Sequence, residues 1–422
     1  MFKKTLVKSL LVSTLIGSMA AISTPAMATS EAMLNLLKIL RDKGSITSDE
    51  YEALKNAAEA DGKEVEKIAS EAKANVKEVT EKLSWAEKIK IKGDVRLRFQ
   101  DDFDANTTSP KDRGRARVRA RMGVIATPTD GVETGIGMAS GGTDLRSTNQ
   151  TLDSTFSTKG WNLDYAYAQW KPAQVNGLKL IGGKFYRKPW LWQTTDVYFD
   201  GDITFEGASA NYSFKNSMGH TFVNAGLWTV DFNKAADDPR IYYGQLGHKF
   251  KSGDIFGTVA GTFMSLDGNR SELTTVATSN NSARAEFNEQ YGLSGELGMH
   301  TNFFGQKTMI KAIADYWNNA SATTNQDTAY AVGVKFGHSK VKNSGSWQVK
   351  YVYRDVQADS VIDQFPDSDA YDGNTGVFGH EVAAEYALYK NFILGVDYYA
   401  MQSKTAGARD KDLVQLDAVF KF

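Results

Sequence analysis

Six arginines in the first third of the chain have the spacing of a charged ladder: Arg96 and Arg98, then Arg115, Arg117, Arg119 and Arg121. In an extended strand, residues two apart share one face and lie about 6.6 to 6.8 Å apart, so two neighbouring antiparallel strands would carry all six on one wall. Arginine stays charged at any physiological pH. Beside a narrow, partly desolvated aqueous passage, such a ladder would concentrate anions and oppose cations.

A second interpretation of these arginines is structural. Each guanidinium could pair with a carboxylate elsewhere on the same wall and contribute only rigidity. A third interpretation places long basic side chains at a membrane rim, in contact with lipopolysaccharide. The spacing along the strand argues against this position for the six arginines taken together.

The other residue types that carry out chemistry are scattered. Five histidines form no His-Glu-x-x-His pattern, and the chain has no Gly-x-Ser-x-Gly elbow. Asp367, Asp369 and Asp372 with Gly373 miss the spacing of an EF-hand by one residue, which favours an acidic surface loop over a calcium site. The chain has no cysteine, so thiolate metal sites and c-type haem are excluded. We therefore expect a protein that is not an enzyme and has no metal or cofactor.

The arginines alternate with apolar residues, and this alternation indicates the strands that hold them. The opposite face of the second arginine segment carries Ala116, Val118, Ala120, Met122 and Val124. The last strand repeats the pattern with Val414, Leu416, Ala418, Phe420 and Phe422. Such strands need an apolar exterior and a wet interior, which a β-barrel in a bacterial outer membrane supplies. A soluble barrel usually has the reverse arrangement.

The alternation continues from Ile89 to Phe422 and predicts about 16 antiparallel strands, an even number as bacterial single-chain barrels have. Short connections alternate with long polar ones, which is typical of periplasmic turns and outer loops. The mean hydropathy of -0.39 argues against a helical membrane protein and is compatible with half-apolar strands. The predicted fold class is an all-β transmembrane barrel over residues 88–422.

The N-terminus has the features of a secretory signal. Lys3, Lys4 and Lys8 accompany an apolar stretch, and Ala26-Met27-Ala28 forms an A-x-A cleavage site, which predicts a signal peptide over residues 1–28. Removing the three lysines takes the net charge from -1 to about -4. Nothing in this balance indicates a nucleic-acid partner, which needs a strongly basic face.

Residues 29–87 have helical periodicity. A break at Gly44 predicts a helical hairpin, and a charged helix follows Gly62. Its apolar residues recur at heptad-like steps at Val65, Ile68, Ala72, Val79 and Leu83. We expect a periplasmic segment, either a solvated helix or a short coiled coil that joins protomers or spaces the barrel from the cell wall.

With these features the chain resembles the outer-membrane porins of Gram-negative bacteria, and most of all the putative-porin family whose members carry a helical N-terminal segment. The resemblance rests on the signal, the basic strand pair 96–121, the terminal Phe422 and several short stretches: Lys43-Gly44-Ser45-Ile46-Thr47, Gly183-Lys184-Phe185, Pro189-Trp190, Asp200-Gly201-Asp202 and Glu206-Gly207-Ala208. It implies a homotrimeric, water-filled channel for passive diffusion of small hydrophilic solutes or ions. It also implies that the loop after the fifth strand, residues 187–202, folds into the barrel.

An inward loop would bring carboxylates opposite the arginines. These would be Asp196, Asp200, Asp202 and Glu206, with Lys184 on the basic side. A transverse field of this kind orders water and favours small polar solutes. The alternative is a solvated loop with turn-forming aspartates. Trp190 and Trp192 are candidates for a sugar-stacking track, whereas the aromatics in general suit membrane-interface girdles.

Two other functions stay open at this point. Residues 29–87 could bind peptidoglycan, so that the barrel serves as a structural anchor, or the barrel could be a hydrolase with a Ser–His pair distant in sequence. The partners that we expect are outer-membrane lipid, lipopolysaccharide and small hydrophilic solutes.

Overall fold

The structure is a computed structural model that describes residues 23–105, 113–232, 238–268, 281 and 286–422. The chain divides into two compact units, with the boundary in sequence between Glu87 and Lys88. Residues 1–22 of the predicted signal peptide lie outside the described residues, and residues 23–28 form the start of the first helix. No helix in the described part of the chain is long and apolar enough to cross a membrane.

The first unit consists of helices α1 (Ser23–Asp42) and α2 (Ser48–Glu87). Gly44 ends α1 with a φ of +71°, and the Ser45 amide donates to the Leu40 carbonyl at 2.9 Å, as in a Schellman motif. A capping box then starts α2, because the Thr47 amide donates to the Glu50 carboxylate at 2.8 Å while the Glu50 amide donates to the Thr47 hydroxyl.

Helix α2 continues through Gly62, where the sequence predicted that a second, separate helix begins. An interior glycine costs a helix only about 1 kcal/mol, which is too little to break a helix that is otherwise rich in good helix formers. Val65 and Ile68 are 47% and 59% exposed, so the described residues of this unit leave these two apolar side chains largely uncovered.

The second unit is a closed barrel, as the sequence predicted. Its strands are β1 Ile89–Ala105, β2 Arg113–Thr129, β3 Val132–Ser140, β4 Gln150–Thr151, β5 Trp161–Trp170, β6 Leu178–Tyr186, β7 Thr204–Asn216, β8 Gly219–Thr229, β9 Arg240–Ser252, β10 Ile255–Asp267, β11 Gln290–Phe303, β12 Gln306–Asn319, β13 Thr328–Gly337, β14 Trp347–Val356, β15 Val377–Tyr389, β16 Phe392–Ser403 and β17 Asp410–Lys421. The two-residue β4 lies outside the ring and pairs with β2, and the other sixteen form an antiparallel ring in which β17 pairs back with β1.

The first hairpin is longer than the sequence predicted. Strand β1 continues to Ala105 and β2 begins at Arg113, whereas the expected loop spanned residues 101–114. An ion pair of 2.6 Å between Arg115 and Asp102 joins the two strands inside this segment. Cross-strand pairs of opposite charge stabilise a hairpin and so extend the pairing toward the loop.

Side chains alternate between the two surfaces of the barrel. Leu97 and Phe99 are half-exposed on the outer face, while Arg98 and Gln100 are buried in the interior. Gly93 and Phe422 close the ring through two backbone hydrogen bonds of 3.0 and 3.1 Å.

Among the described connections at the long-loop end, those after β6 and β14 turn into the barrel instead of away from it, and they comprise residues 187–203 and 357–376. The connection after β3 also reaches the lumen through Arg146, which donates to the Gly373 carbonyl at 3.2 Å. The apolar side chains of the loops after β6 and β14 join inner-wall residues in one buried cluster that includes Trp190, Leu191, Tyr198, Phe199, Val361, Ile362 and Phe365. The apolar cluster therefore extends from both loops to inner-wall residues on strands from β6 to β17, and the charged part of the interior lies beside it.

Candidate channel constriction

The loop of residues 187–203 crosses the lumen and is fixed to the far wall. The Trp192 amide and carbonyl make hydrogen bonds of 2.9 and 2.8 Å to the Gln245 side chain on β9. Further along, Thr194 and Thr195 donate through both their amides and their hydroxyls to the buried carboxylate of Asp315 on β12. The loop thus spans from β6 to β12, six strands further round the ring.

The aromatic residues of this loop hold it in place. Trp190 is 1% exposed, packs edge-on against Phe185 and accepts a hydrogen bond of 2.9 Å from Tyr243 through its carbonyl oxygen. A buried indole cannot stack on a passing sugar, so the sugar-track expectation is wrong for Trp190. Trp170 and Tyr242 are exposed on the outer surface, where a membrane-interface girdle would lie.

The loop of residues 357–376 is the second element of the site, and the sequence predicted it as a solvated acidic loop. Arg354 on β14 holds it inward by donating to Asp367 at 2.8 Å, and the same guanidinium donates to Glu381 at 2.6 Å. The Tyr399 hydroxyl also donates to Asp367, at 3.3 Å. The signal that could have revealed this loop is the apolar trio Val361, Ile362 and Phe365, which a solvated acidic loop would not need.

The two inward loops are joined to each other. The Asp200 amide donates to the Phe365 carbonyl at 2.7 Å, and the Ser368 amide donates to the Asp200 carboxylate at 2.9 Å. The Asp367 amide donates to the Asp196 carbonyl at 3.2 Å. They therefore form one double loop inside the barrel.

The six arginines lie on the inner wall, and β1 and β2 place four of them directly opposite one another. Arg96 is opposite Arg119, and Arg98 is opposite Arg117. Like charges directly opposite each other destabilise a sheet unless something compensates for them.

Carboxylates compensate for most of these charges. Arg98 makes a two-pronged contact with Asp417 at 2.7 and 2.8 Å, and Arg119 and Arg121 share Asp94 at 2.9 Å. Arg96 lies 3.7 Å from Asp417, and Arg115 pairs with Asp102.

Arg117 differs from the other five arginines. It bonds to Gln100 at 2.9 Å, and the described residues supply no carboxylate within ion-pair distance of it. The structural interpretation of the ladder thus accounts for five arginines, and Arg117 alone fits the free-charge interpretation.

The predicted loop carboxylates do not face the arginines across a gap. Asp202 touches the ladder, 3.4 Å from Arg121 and 3.8 Å from Arg119. Burial alone would raise the pKa of Asp202, but these arginines and Arg96 lower it below its usual value. Asp196 pairs with Arg187 on its own loop at 3.2 Å. The expected transverse field between two separate walls is therefore replaced by pairs in contact.

Two buried loop carboxyls have raised pKa values. Burial, together with the nearby Asp367 and Asp202, raises the pKa of Asp200 well above its ordinary value. Burial also raises the pKa of Asp367 to about 6, although Arg354 opposes the shift.

Lys184 and Glu206 lie away from the constriction, contrary to expectation. They are opposite each other on β6 and β7 and form an ion pair of 2.7 Å. Strand alternation places Glu206 on the face of Tyr212 and Phe214, both 40% exposed, while the inner face carries the buried Phe205. The pair thus belongs to the outer surface near the long-loop rim. The sequence placed both residues on strands beside the loop, but it did not show which face of each strand they occupy.

A cavity of about 260 Å³ lies where the double loop meets the arginine wall. Charges of both signs line it, six basic and seven acidic: Arg96, Arg98, Arg146, Lys335, Lys350 and Arg354, with Asp196, Asp200, Asp202, Asp367, Asp369, Glu381 and Asp397. Sequence reasoning missed the residues from β13 to β16, because no motif marks them and only the closed ring brings them to the arginines.

A closed sixteen-stranded barrel with polar, charged space inside and inward-folded loops defines the class of the protein, an outer-membrane diffusion channel of the porin type. The sequence profile of a family described as putative porin matches residues 105–290 and 270–422, and the chain belongs to this family. Family and fold point to a channel for passive diffusion of solutes rather than to an enzyme.

The chain is similar to several solved structures at low sequence identity. The chain is similar to Pseudomonas putida OprB at high pH, with 10% identity and a TM-score of 0.57 over 82% of this chain and 96% of that one. Weaker similarity extends to a triple mutant of the Rhodopseudomonas blastica porin, with 10% identity, a TM-score of 0.45, and 79% and 100% coverage. Salmonella typhi OmpF in complex with daunomycin matches with 9% identity, a TM-score of 0.48, and 79% and 97% coverage. No curated protein matches the chain significantly.

Proposed function

We propose that the channel passes small hydrophilic solutes through an aperture set by the double loop, with only weak overall preference between cations and anions. The observation that carries this proposal is the mixed lining of the cavity, in which six basic and seven acidic side chains intermingle. Opposite charges in contact cancel at a distance, so they exert little net field on a passing ion.

Planar-bilayer recording of the purified protein across a KCl gradient tests this function. We expect discrete conductance steps and a reversal potential close to zero. Folded, heat-modifiable protein that gives no conductance would contradict the channel, and a reversal potential near the limit for one ion would contradict the charge balance.

We also propose a homotrimer in the bacterial outer membrane. The support is the ion pair of Lys184 on β6 and Glu206 on β7, which lies on the outer face of the barrel. Such a surface suits a neighbouring protomer better than lipid. Triplet conductance steps and a threefold native mass in mild detergent are expected, and a monomer mass with single steps would refute the trimer.

For the N-terminal region we propose export through the signal at residues 1–28 and a periplasmic position for α1 and α2. The exposed Val65 and Ile68 support a role for α2 in joining protomers, and attachment to peptidoglycan is the second candidate. Replacing both residues with Asp should lower the native mass if α2 joins protomers. An unchanged mass, together with loss of co-sedimentation with peptidoglycan, would favour the tether.

A further inference from the structure

A row of lysines crosses three adjacent strands on the wall of the barrel that the arginines do not occupy. Lys311 on β12 is directly opposite Lys335 on β13, and Lys335 is directly opposite Lys350 on β14. Lys311 shares its strand face with the buried Ile313 and Asp315, so the row faces the lumen.

Three like charges in register are costly. Directly opposite residues have Cβ atoms about 4.5–5.5 Å apart, and like charges at that separation destabilise a sheet. A packed structural wall would avoid this pattern, so the row needs compensating charges.

The two ends of the row have such charges and its centre does not. Lys311 lies 2.7 Å from Glu296, and Lys350 forms an ion pair with Glu381. For Lys335, half-buried between them, the described residues supply neither an ion pair nor a hydrogen bond. A partly desolvated ammonium without a counter-charge is unfavourable.

Other charges near the centre of the row leave it positive. Lys188 of the inward loop adds a third positive charge to those of the two lysines beside Lys335, and Asp196 of the same loop is a nearby negative charge. Asp196 is already paired with Arg187.

The position of Lys335 along the lumen makes this charge relevant to transport. A second cavity, of about 210 Å³, lies next to the cavity of about 260 Å³ described above. Lys335, Lys350 and Asp397 are the charged residues that line both cavities. A solute that moves from one cavity to the other therefore passes the ammonium of Lys335.

We propose that Lys335 is the centre of a binding site for small oxyanions, solutes that carry a carboxylate or phosphate group. The oxyanion supplies the missing counter-charge to Lys335, while Lys311 and Lys350 remain with their own carboxylates. Lysine suits this role as a compact point charge with three donors. The inference rests on the proposed channel function and adds a ligand class to it.

The test is block of the chloride current through the full-length protein by inorganic phosphate or by acetate. In wild type, at least one of these two anions should reduce the chloride current, and the reduction should saturate as its concentration rises. Lys335→Gln should raise the half-blocking concentration at least tenfold, and Lys335→Arg should largely restore block. The matched control is Lys249→Gln, because Lys249 lies on the inner wall away from the row, over the Phe222 ring.

The outcomes separate the two proposals. Absence of any chloride conductance would overturn the channel function itself. Normal conductance without block by either probe would overturn the oxyanion site, as would equal block in wild type and Lys335→Gln or an equal loss of block in Lys249→Gln.

Discussion

At the scale of residues, most of the arginines on the inner wall are paired with carboxylates, and the unpaired cations of the lumen are informative. Arg98, Arg119 and Arg121 each have a carboxylate within 3 Å. Arg117 and Lys335 have none among the described residues. The sequence shows which side chains share a face but not which of them meet, since the carboxylates that neutralise Arg98 come from β17 and from a loop more than 250 positions away.

Arg117 should contribute more to ion selectivity than the other five arginines of the ladder. We expect Arg117→Gln to shift the reversal potential in a KCl gradient toward cation preference, because no carboxylate within ion-pair distance cancels its charge. Arg117→Lys keeps the charge and should retain the wild-type value. Equal reversal potentials for Arg117→Gln and wild type would remove this arginine from the mechanism.

Selectivity should also depend on pH through Asp367. Its pKa is raised to about 6, mainly by burial, so it is charged at pH 7.5 and protonated at pH 5. Protonation removes one negative charge from the lining, and the reversal potential should move toward anion preference with a midpoint near pH 6. Asp367→Asn should already have, at pH 7.5, the reversal potential that wild type reaches at pH 5, and it should lack the transition near pH 6. A transition with the same midpoint in Asp367→Asn would assign the titration to another group.

At the scale of elements, period-two alternation predicted the strands because each must satisfy lipid on one face and water or protein on the other. The ends of β1 and β2 were harder to predict, since the Arg115–Asp102 ion pair extends the hairpin. The inward course of residues 357–376 was missed because it depends on Arg354, a single strand residue whose sequence context carries no mark of a clamp.

The closing seam of the barrel depends on a glycine. A Cβ at Gly93 would lie 2.4 Å from both the Arg121 carbonyl oxygen and the Phe422 ring. We expect Gly93→Val to destabilise the barrel by about 1–3 kcal/mol through overpacking, and to lower the temperature at which the folded band disappears on a heat-modifiability gel.

The control for this substitution is Gly261→Val on β10, where an added Cβ meets nothing within 4 Å. It should leave that temperature nearly unchanged. Equal effects of the two substitutions would indicate a general cost of valine in these strands rather than a specific role of the seam.

At the scale of the whole molecule, the barrel is wide enough to hold two loops, and their anchoring determines how much of the lumen stays open. Loop 187–203 is bound to β9 and β12, and loop 357–376 is bound to β14 and to the first loop. The channel is therefore a rigid ring with an internal double loop, and its aperture is a property of a few polar anchors. The ring could be predicted from the alternation of residues along the chain, whereas the second loop and its anchors follow only from the folded arrangement.

The claim that the anchored loops set the aperture is tested most directly by single-channel conductance of wild type and of Asp315→Ala. Polyethylene glycols of graded size serve as probes of the aperture. Asp315 accepts hydrogen bonds from both Thr194 and Thr195, and Asp315→Asn, which keeps one acceptor oxygen, is the matched control. We predict that Asp315→Ala conducts more current, admits larger polymers and gives noisier steps, with Asp315→Asn intermediate. Identical conductance and identical polymer cut-off in wild type and Asp315→Ala would contradict an aperture set by the anchored loop.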